Sequence, residues 1–242
     1  PGGKGANQAL AAARLGARVR LVAAVGDDPA AAEALALLLA EGVDLAVSTV
    51  AQPTGLALIT VDDAGDTTIV VAPGANAALT VRPDELADAD AVLTVLEIPD
   101  AAVAAAASGA RAFFALNAAP AREVPDEVLR RADLVVVNAA EHMAIRGLDA
   151  ARCLAVTHGA DGATLLRDGV EVAKARPPAV TAVDGTGAGD AFVAGLVLAM
   201  VGGADDDEAL RRACATGALA ATRHGAQPSL PTAAEVAELL KR

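Results

Sequence analysis

Apolar residues along this chain fall into runs whose spacing switches repeatedly between helical and strand periods. From Asn7 to Leu15 the stretch PGGKGANQALAAARLG reads as an Ala- and Leu-rich helix, stopped by Gly16 and preceded by a turn with glycines at 2, 3 and 5. VRLVAAVG is a β-branched run ended by Gly26, and DDPAAAEALALLLAEG predicts a helix with Asp28 as N-cap, Pro29 in the first turn and Gly42 past its end. TGLALITV and TTIVVAPG flank DDAGD, which predicts a β-hairpin outside the main sheet over about 54–73. Alternation resumes with AVLTVLE, PDAAVAAAASG, ARAFFALN, PDEVLRRA and DLVVVN, whose strands are apolar on both faces, as in a parallel sheet. LAVTHG and ATLLRDGVEVAKA add a strand and a second hairpin turned at Asp168-Gly169. Helices from Gly187, from about Asp206 and from the capping box Thr232-Ala-Ala-Glu235 close the chain. With no repeat and no long linker, these elements imply one α/β domain over residues 1–242. The expected architecture is a three-layer α/β/α sandwich with a mainly parallel central sheet and one small protruding β element.

Composition narrows the partners. Acidic residues outnumber basic ones by 31 to 19, a net charge of −12 that argues against nucleic-acid or anionic-membrane partners. The longest clearly apolar stretch, Ala191 to Ala204, is short and broken by glycines, so no transmembrane helix is expected. Two cysteines, Cys153 and Cys214, cannot make a disulfide framework and lack metal spacing, which fits a reducing cytoplasm. Histidines at 142, 158 and 224 show no metal-ligand spacing, and Trp and Tyr are absent. A glycine-rich turn into a helix normally follows a strand. Here no strand, initiating Met or signal segment precedes it, which leads to the expectation that the chain lacks its beginning.

The stretch richest in chemistry is VDGTGAGDAFVAGLVLAM: a strand, a glycine-rich turn, then a long apolar helix with Asp190 in its first turn. Backbone N–H groups of Gly187, Ala188 and Gly189 would form an anion hole, reinforced by the positive end of the helix dipole. Taken alone, Asp190 could be a plain first-turn carboxylate, stabilising by roughly 0.3–1 kcal/mol. A carboxylate beside an anion hole is also what phosphoryl transfer to an alcohol needs. The P-loop ending in Gly-Lys-Ser/Thr and the protein-kinase motif set are both missing.

GGKGANQA near one end and DGTGAGDAF near the other are together the signature pair of the PfkB carbohydrate kinases, and by that resemblance the chain is identified as a member of the family. GDD, TGLALI, PGANAAL, LEIP, LNAAPAREVPDE, NAAE and ATRHGAQPSLP follow the order found in its ribose-phosphorylating branch. The resemblance implies ATP-dependent transfer to O5 of D-ribose, giving ribose 5-phosphate and ADP, with Mg²⁺ required and K⁺ activating. Under it, Asp190 is the base, above the anion hole of Gly187, Ala188 and Gly189, and Gly3, Lys4, Asn7 and Glu97 hold the sugar hydroxyls. Asn138, Thr157 and Gly159 fall on the nucleotide side, and Glu141 orders Mg²⁺ through water. Asp184 and Ser229, with backbone oxygens near Thr186 and Gly225, match a K⁺ site. On residue chemistry alone, Asn7 is as easily a solvent-facing helix polar residue, Glu97 a strand-end carboxylate, Asn138 a helix cap and Asp184 a turn-former. The protruding hairpin is part of a lid that commonly pairs subunits, which implies a homodimer when the chain is complete.

Three departures accompany the resemblance. Nothing here replaces the family's first-strand Asp, which grips two sugar hydroxyls. The segment between Glu141 and Val156 is short, which predicts a reduced or lost helix and a shortened strand. Cys214 occupies the place where an Asn or His usually approaches the adenine. Rival readings are another sugar or nucleoside kinase of the same family, a catalytically inactive relic that still binds sugar or nucleotide, and an incomplete sequence.

Overall fold

Strands that are apolar on both faces need cover on both sides, and that requirement organises this molecule. The computed structural model describes residues 1–61 and 67–241. In chain order the elements are α1 (Lys4–Arg14), β1 (Arg20–Gly26), α2 (Pro29–Ala40), β2 (Asp44–Val50), β3 (Leu56–Val61), β4 (Thr67–Ala72), β5 (Ala91–Val95), α3 (Asp100–Gly109), β6 (Phe113–Asn117), α4 (Asp126–Arg131), β7 (Leu134–Asn138), α5 (Ala139–Ala144), β8 (Cys153–Thr157), β9 (Ala163–Arg167), β10 (Val170–Ala175), α6 (Ala188–Val201), α7 (Asp206–Ala220), α8 (Ala226–Ser229) and α9 (Ala233–Leu239). A six-stranded sheet runs in the order β10-β9-β8-β7-β6-β5. Strands β5 to β8 pair in parallel, and β9 and β10 continue the sheet antiparallel.

Alternate side chains of each central strand enter opposite cores. Phe114, Leu116, Val135, Val137, Leu154 and Val156 pack with Val103, Val128 and Leu129 of α3 and α4. Ala115, Leu134, Val136, Cys153 and Ala155 pack with Phe192, Leu196, Leu210 and Ala213 of α6 and α7. That is the three-layer sandwich. A third cluster joins Leu10 of α1 and Leu38 of α2 to Ala191 and Ala194 of α6.

Four expectations need adjustment, the first being that the run leading into the Gly187 turn, 176–184, is irregular rather than a strand. Strand β2 was not predicted, because its side chains are only half-buried or exposed and give no clean alternation. It forms because it pairs residue for residue with β1 in a separate parallel pair. Helix α1 begins at Lys4 rather than Asn7, since Gly3, at φ 92°, serves as N-cap. The segment after Glu141 does hold a reduced helix, α5, but β8 keeps its five residues and pairs on both sides. Buried Ile145 and Leu148 fold the shortened link onto the core.

Both predicted hairpins form. The second turns at Asp168 (φ 47°) and Gly169 (φ 77°), the left-handed pair that a two-residue loop requires. The first pairs β3 with β4, and its predicted turn, DDAGD at 62–66, lies outside the described residues. Among the described residues no helix is long and apolar enough to cross a membrane.

The capping box of α9 forms as predicted, with Glu235 accepting from the Thr232 N–H at 2.8 Å and pairing with Arg223. Arg223 first, then the Thr232 N–H, hold the Glu235 carboxyl at a pKa of about 2 against an ordinary 4.5. A depressed folded-state pKa contributes stability above the unfolded value, lost as pH falls through the folded one. The melting temperature of the parent is therefore expected to fall more steeply than that of Glu235→Gln between pH 4.5 and about 2. Calorimetric melts that run parallel across that window would show that the pair contributes nothing.

Candidate active site

Ligands of open α/β sheets bind beyond the carboxyl ends of the parallel strands. In this chain those ends carry polar residues: Glu97 just after β5, Asn117 ending β6, Asn138 ending β7 and Thr157 ending β8. Register sets Val95 opposite Asn117 and Asn138 opposite Thr157, so the residues form one row.

Asp190 stands over this row on the first turn of α6, 8% exposed. Its Oδ2 accepts from Asn7 Nδ2 at 2.7 Å and its Oδ1 from Gln8 Nε2 at 2.9 Å. A carboxylate only accepts, so it turns both amide nitrogens toward itself and leaves Asn7 Oδ1 and Gln8 Oε1 buried without protein partners. Burial pushes the Asp190 carboxyl above the usual range, and the Asn7 and Gln8 N–H groups, then the Lys4 charge, oppose that rise. A raised pKa makes this carboxylate a better acceptor for a hydroxyl proton.

Glu97 Oε2 accepts the Lys4 N–H at 3.0 Å, anchoring the glycine-rich opening of α1 to the end of β5. Its carboxyl is also raised, chiefly by burial, with Lys4 lowering it and Asp190 adding to the rise. Arg122 braces the loop on both sides of Glu97, donating to Leu96 O at 3.1 Å and Ile98 O at 3.0 Å and pairing with Asp100. Gly3, Lys4, Asn7, Glu97 and Asp190 are thus brought to one place.

The turn before α6 is open. Gly187 has φ 80°, and a Cβ there would lie 2.9 Å from Ala226 O, whereas a Cβ on Gly189 would meet nothing within 4 Å. Of the three predicted anion-hole donors, Ala188 N–H already bonds Gly185 O at 3.2 Å. Among the described residues, the N–H groups of Gly187 and Gly189 have no protein acceptor.

Asn138 and Glu141 form a reciprocal capping box at the start of α5, with bonds of 2.8 and 2.7 Å, as the helix-cap alternative foresees. Thr157 Oγ1 points back toward Val137 O at 3.4 Å, and Gly159 (φ 60°) opens the following turn onto unfilled space. Cys214 faces inward: its thiol is 4% exposed, bonds Ala175 O at 3.7 Å and is pushed by burial to a pKa of about 11. It offers an adenine no open polar atom. Asp184 accepts from the N–H groups of Gly225 at 2.8 Å and Thr186 at 2.9 Å; the Gly225 N–H first, then the Thr186 hydroxyl and N–H, lower its pKa to about 2. Ser229 donates to Ala226 O at 2.8 Å on α8, directly after the Gly225 N–H that Asp184 accepts. Among the described residues no three His, Cys, Asp or Glu side chains could hold a metal ion.

Sequence patterning missed Gln8, Asn117 and Arg122. Gln8 and Asn117 are buried polar residues at the ends of apolar runs, and Arg122 follows a Pro in a loop. The one signal available was that all three lie in the quoted stretches GGKGANQA and LNAAPAREVPDE.

The family model described as pfkB family carbohydrate kinase matches residues 1–233. A ribokinase from Haemophilus influenzae is 36% identical, over 99% of this chain and 87% of that protein. An ATP-dependent ribose-1-phosphate kinase from Halopiger xanaduensis is 34% identical, over 99% of this chain and 86% of its own length. The structure of Arabidopsis thaliana ribokinase complexed with ribose and ATP superposes with a TM-score of 0.92 at 29% identity, covering 100% of this chain and 88% of that one.

Proposed function

The chain belongs to the pfkB family of carbohydrate kinases, and from that premise we infer that it transfers the γ-phosphoryl group of ATP to O5 of D-ribose, giving ribose 5-phosphate and ADP. It is a sugar kinase of the ribokinase type. The observation that carries the site assignment is the buried Asp190 carboxylate, held by two amides at the mouth of an open glycine turn. Asp190 takes the proton of the primary hydroxyl, and the N–H groups of Gly187 and Gly189, with Ala188 once its turn bond opens, face the charge on the transferred phosphoryl. Glu97, Lys4, Asn7 and the Gly3 backbone hold the sugar, and the unpartnered Asn7 Oδ1 accepts from a hydroxyl. Asn138, Thr157 and Gly159 border the nucleotide, with Cys214 behind the wall on that side. Mg²⁺ would be held by the ATP phosphates and by Glu141 through water, and K⁺ by Asp184, Thr186, Gly225 and Ser229, where it would order the turn.

Hairpin β3–β4, within 54–73, serves as the lid over the sugar and pairs two chains in a homodimer. Leu56, Leu58, Val70 and Val71 on it are each more than half exposed, which supports that role. With both cysteines free and buried, we place the enzyme in a reducing cytoplasm.

The second reading, ribose 1-phosphate as substrate, follows from the Halopiger relative. Charge speaks for the neutral sugar: the groups that act on one another here are one ammonium, Lys4, and two carboxylates, Glu97 and Asp190. ADP release should be fast with ribose and slow with ribose 1-phosphate or adenosine. The reverse order would replace the substrate while keeping the phosphoryl-transfer chemistry.

Glu97→Ala should raise the ribose KM about 5- to 150-fold, because unpaired sugar and protein groups cost ~1–3 kcal/mol, and leave the ATP KM unchanged. Equal rises in both constants would remove Glu97 from the sugar site.

A further inference from the structure

Gln8 is 2% exposed, and its single carboxamide nitrogen lies 2.9 Å from Asp190 Oδ1 and 2.8 Å from Asn117 Oδ1. A carboxamide nitrogen carries two hydrogens, one for each acceptor. Asn117 in turn donates through Nδ2 to Val136 O of β7 at 3.2 Å. The chain of bonds therefore runs from α6 through α1 and β6 to β7, tying the candidate base to the middle of the sheet.

We propose that Gln8, locked by Asn117, is the positioning residue for Asp190: it fixes the carboxylate's orientation and holds it in the ionised form that accepts the sugar proton. This rests on the reading of Asp190 as the base. Two features of the geometry support it. Gln8 Oε1 is buried without a partner, a burden that methionine, of similar length and volume, would avoid, so packing alone does not call for glutamine here. Of the two amides on Asp190, Asn7 holds the oxygen Oδ2 from the motif that meets the sugar, whereas Gln8 is the one anchored to the sheet. The charged groups that act at this place are Lys4 from α1 and Glu97 beyond β5. Lys4 favours the ionised carboxylate and Glu97 opposes it, so the Gln8 N–H adds to Lys4.

The test compares pH profiles of kcat/KM for ribose in the parent, Gln8→Met, Gln8→Glu and Asp190→Asn. Gln8→Met should melt near the parent temperature, keep its ATP KM, lose about tenfold or more in kcat and move the acid limb up by about one to two pH units, the scale of a lost charged hydrogen bond. Gln8→Glu sets a second carboxylate against Asp190 and should move the limb upward too, which keeps the test intact if the methionine variant fails to fold. Acid limbs superimposed on the parent's in both variants, with Asp190→Asn inactive, would overturn the positioning role alone. Near-parent turnover in Asp190→Asn would overturn the base reading and this inference with it.

Discussion

Asp190→Asn is expected to lower kcat by ~10²–10⁴-fold while the melting temperature and ATP affinity stay near those of the parent. Asparagine fills the same volume, so the packing of α6 on α1 need not change. What disappears is the proton acceptor, and one of the two bonds from Asn7 and Gln8, because an amide offers a single oxygen where the carboxylate offers two. Loss of one buried bond to a charged group is worth about 1.5–3 kcal/mol, offset in the fold because a carboxylate no longer has to be buried, whereas loss of the general base acts on turnover alone. Single-turnover ADP release and calorimetric titration with a non-hydrolysable ATP analogue separate the two effects. Parallel losses in binding and turnover would mean that Asp190 is structural.

Gly187→Ala should be nearly as damaging by a different route. At φ 80° an L-residue costs roughly 1–2 kcal/mol, and its Cβ would stand 2.9 Å from the Ala226 carbonyl and 3.1 Å from the Ala226 Cα. Backbone cannot rotate aside as a side chain can, so the turn or α8 must move. Moving the turn swings N–H donors off the phosphoryl, and removing one such donor costs ~10²–10³ in kcat. Gly189→Ala is the control, since its Cβ meets nothing within 4 Å. It should melt like the parent. A Gly187→Ala protein with parent-like melting and turnover would show that the turn does not grip the transferred group.

The sequence revealed most where burial is complete. Strands β6, β7 and β8 are apolar on both faces because both faces are covered, so their runs could be recognised without tertiary information. The caps of α2 and α9 and the Asp168-Gly169 turn follow local chemistry and were equally readable. Strand β2 was not, because its half-exposed residues take their conformation from pairing with β1. In the site, the Gly187–Asp190 turn and Glu97 were legible as motif residues. The Gln8–Asn117 link was hidden because a Gln beside an Asn in an Ala-rich helix normally faces water. Only the packing of α1 against α6 and β6 turns it inward. Cys214, which by resemblance occupies the place where an Asn or His usually approaches the adenine, has its thiol turned into the core shared by the sheet, α6 and α7, an orientation that the sequence alone does not show.

Phosphorus NMR of the product made from ribose and ATP tests the central claim most directly. A phosphomonoester on the primary O5 couples to two C5 protons, so a ribose-dependent triplet that appears with ADP, and that Asp190→Asn fails to produce, is the expected result. A doublet coupled to the anomeric proton, or ADP release that does not depend on ribose, would contradict it.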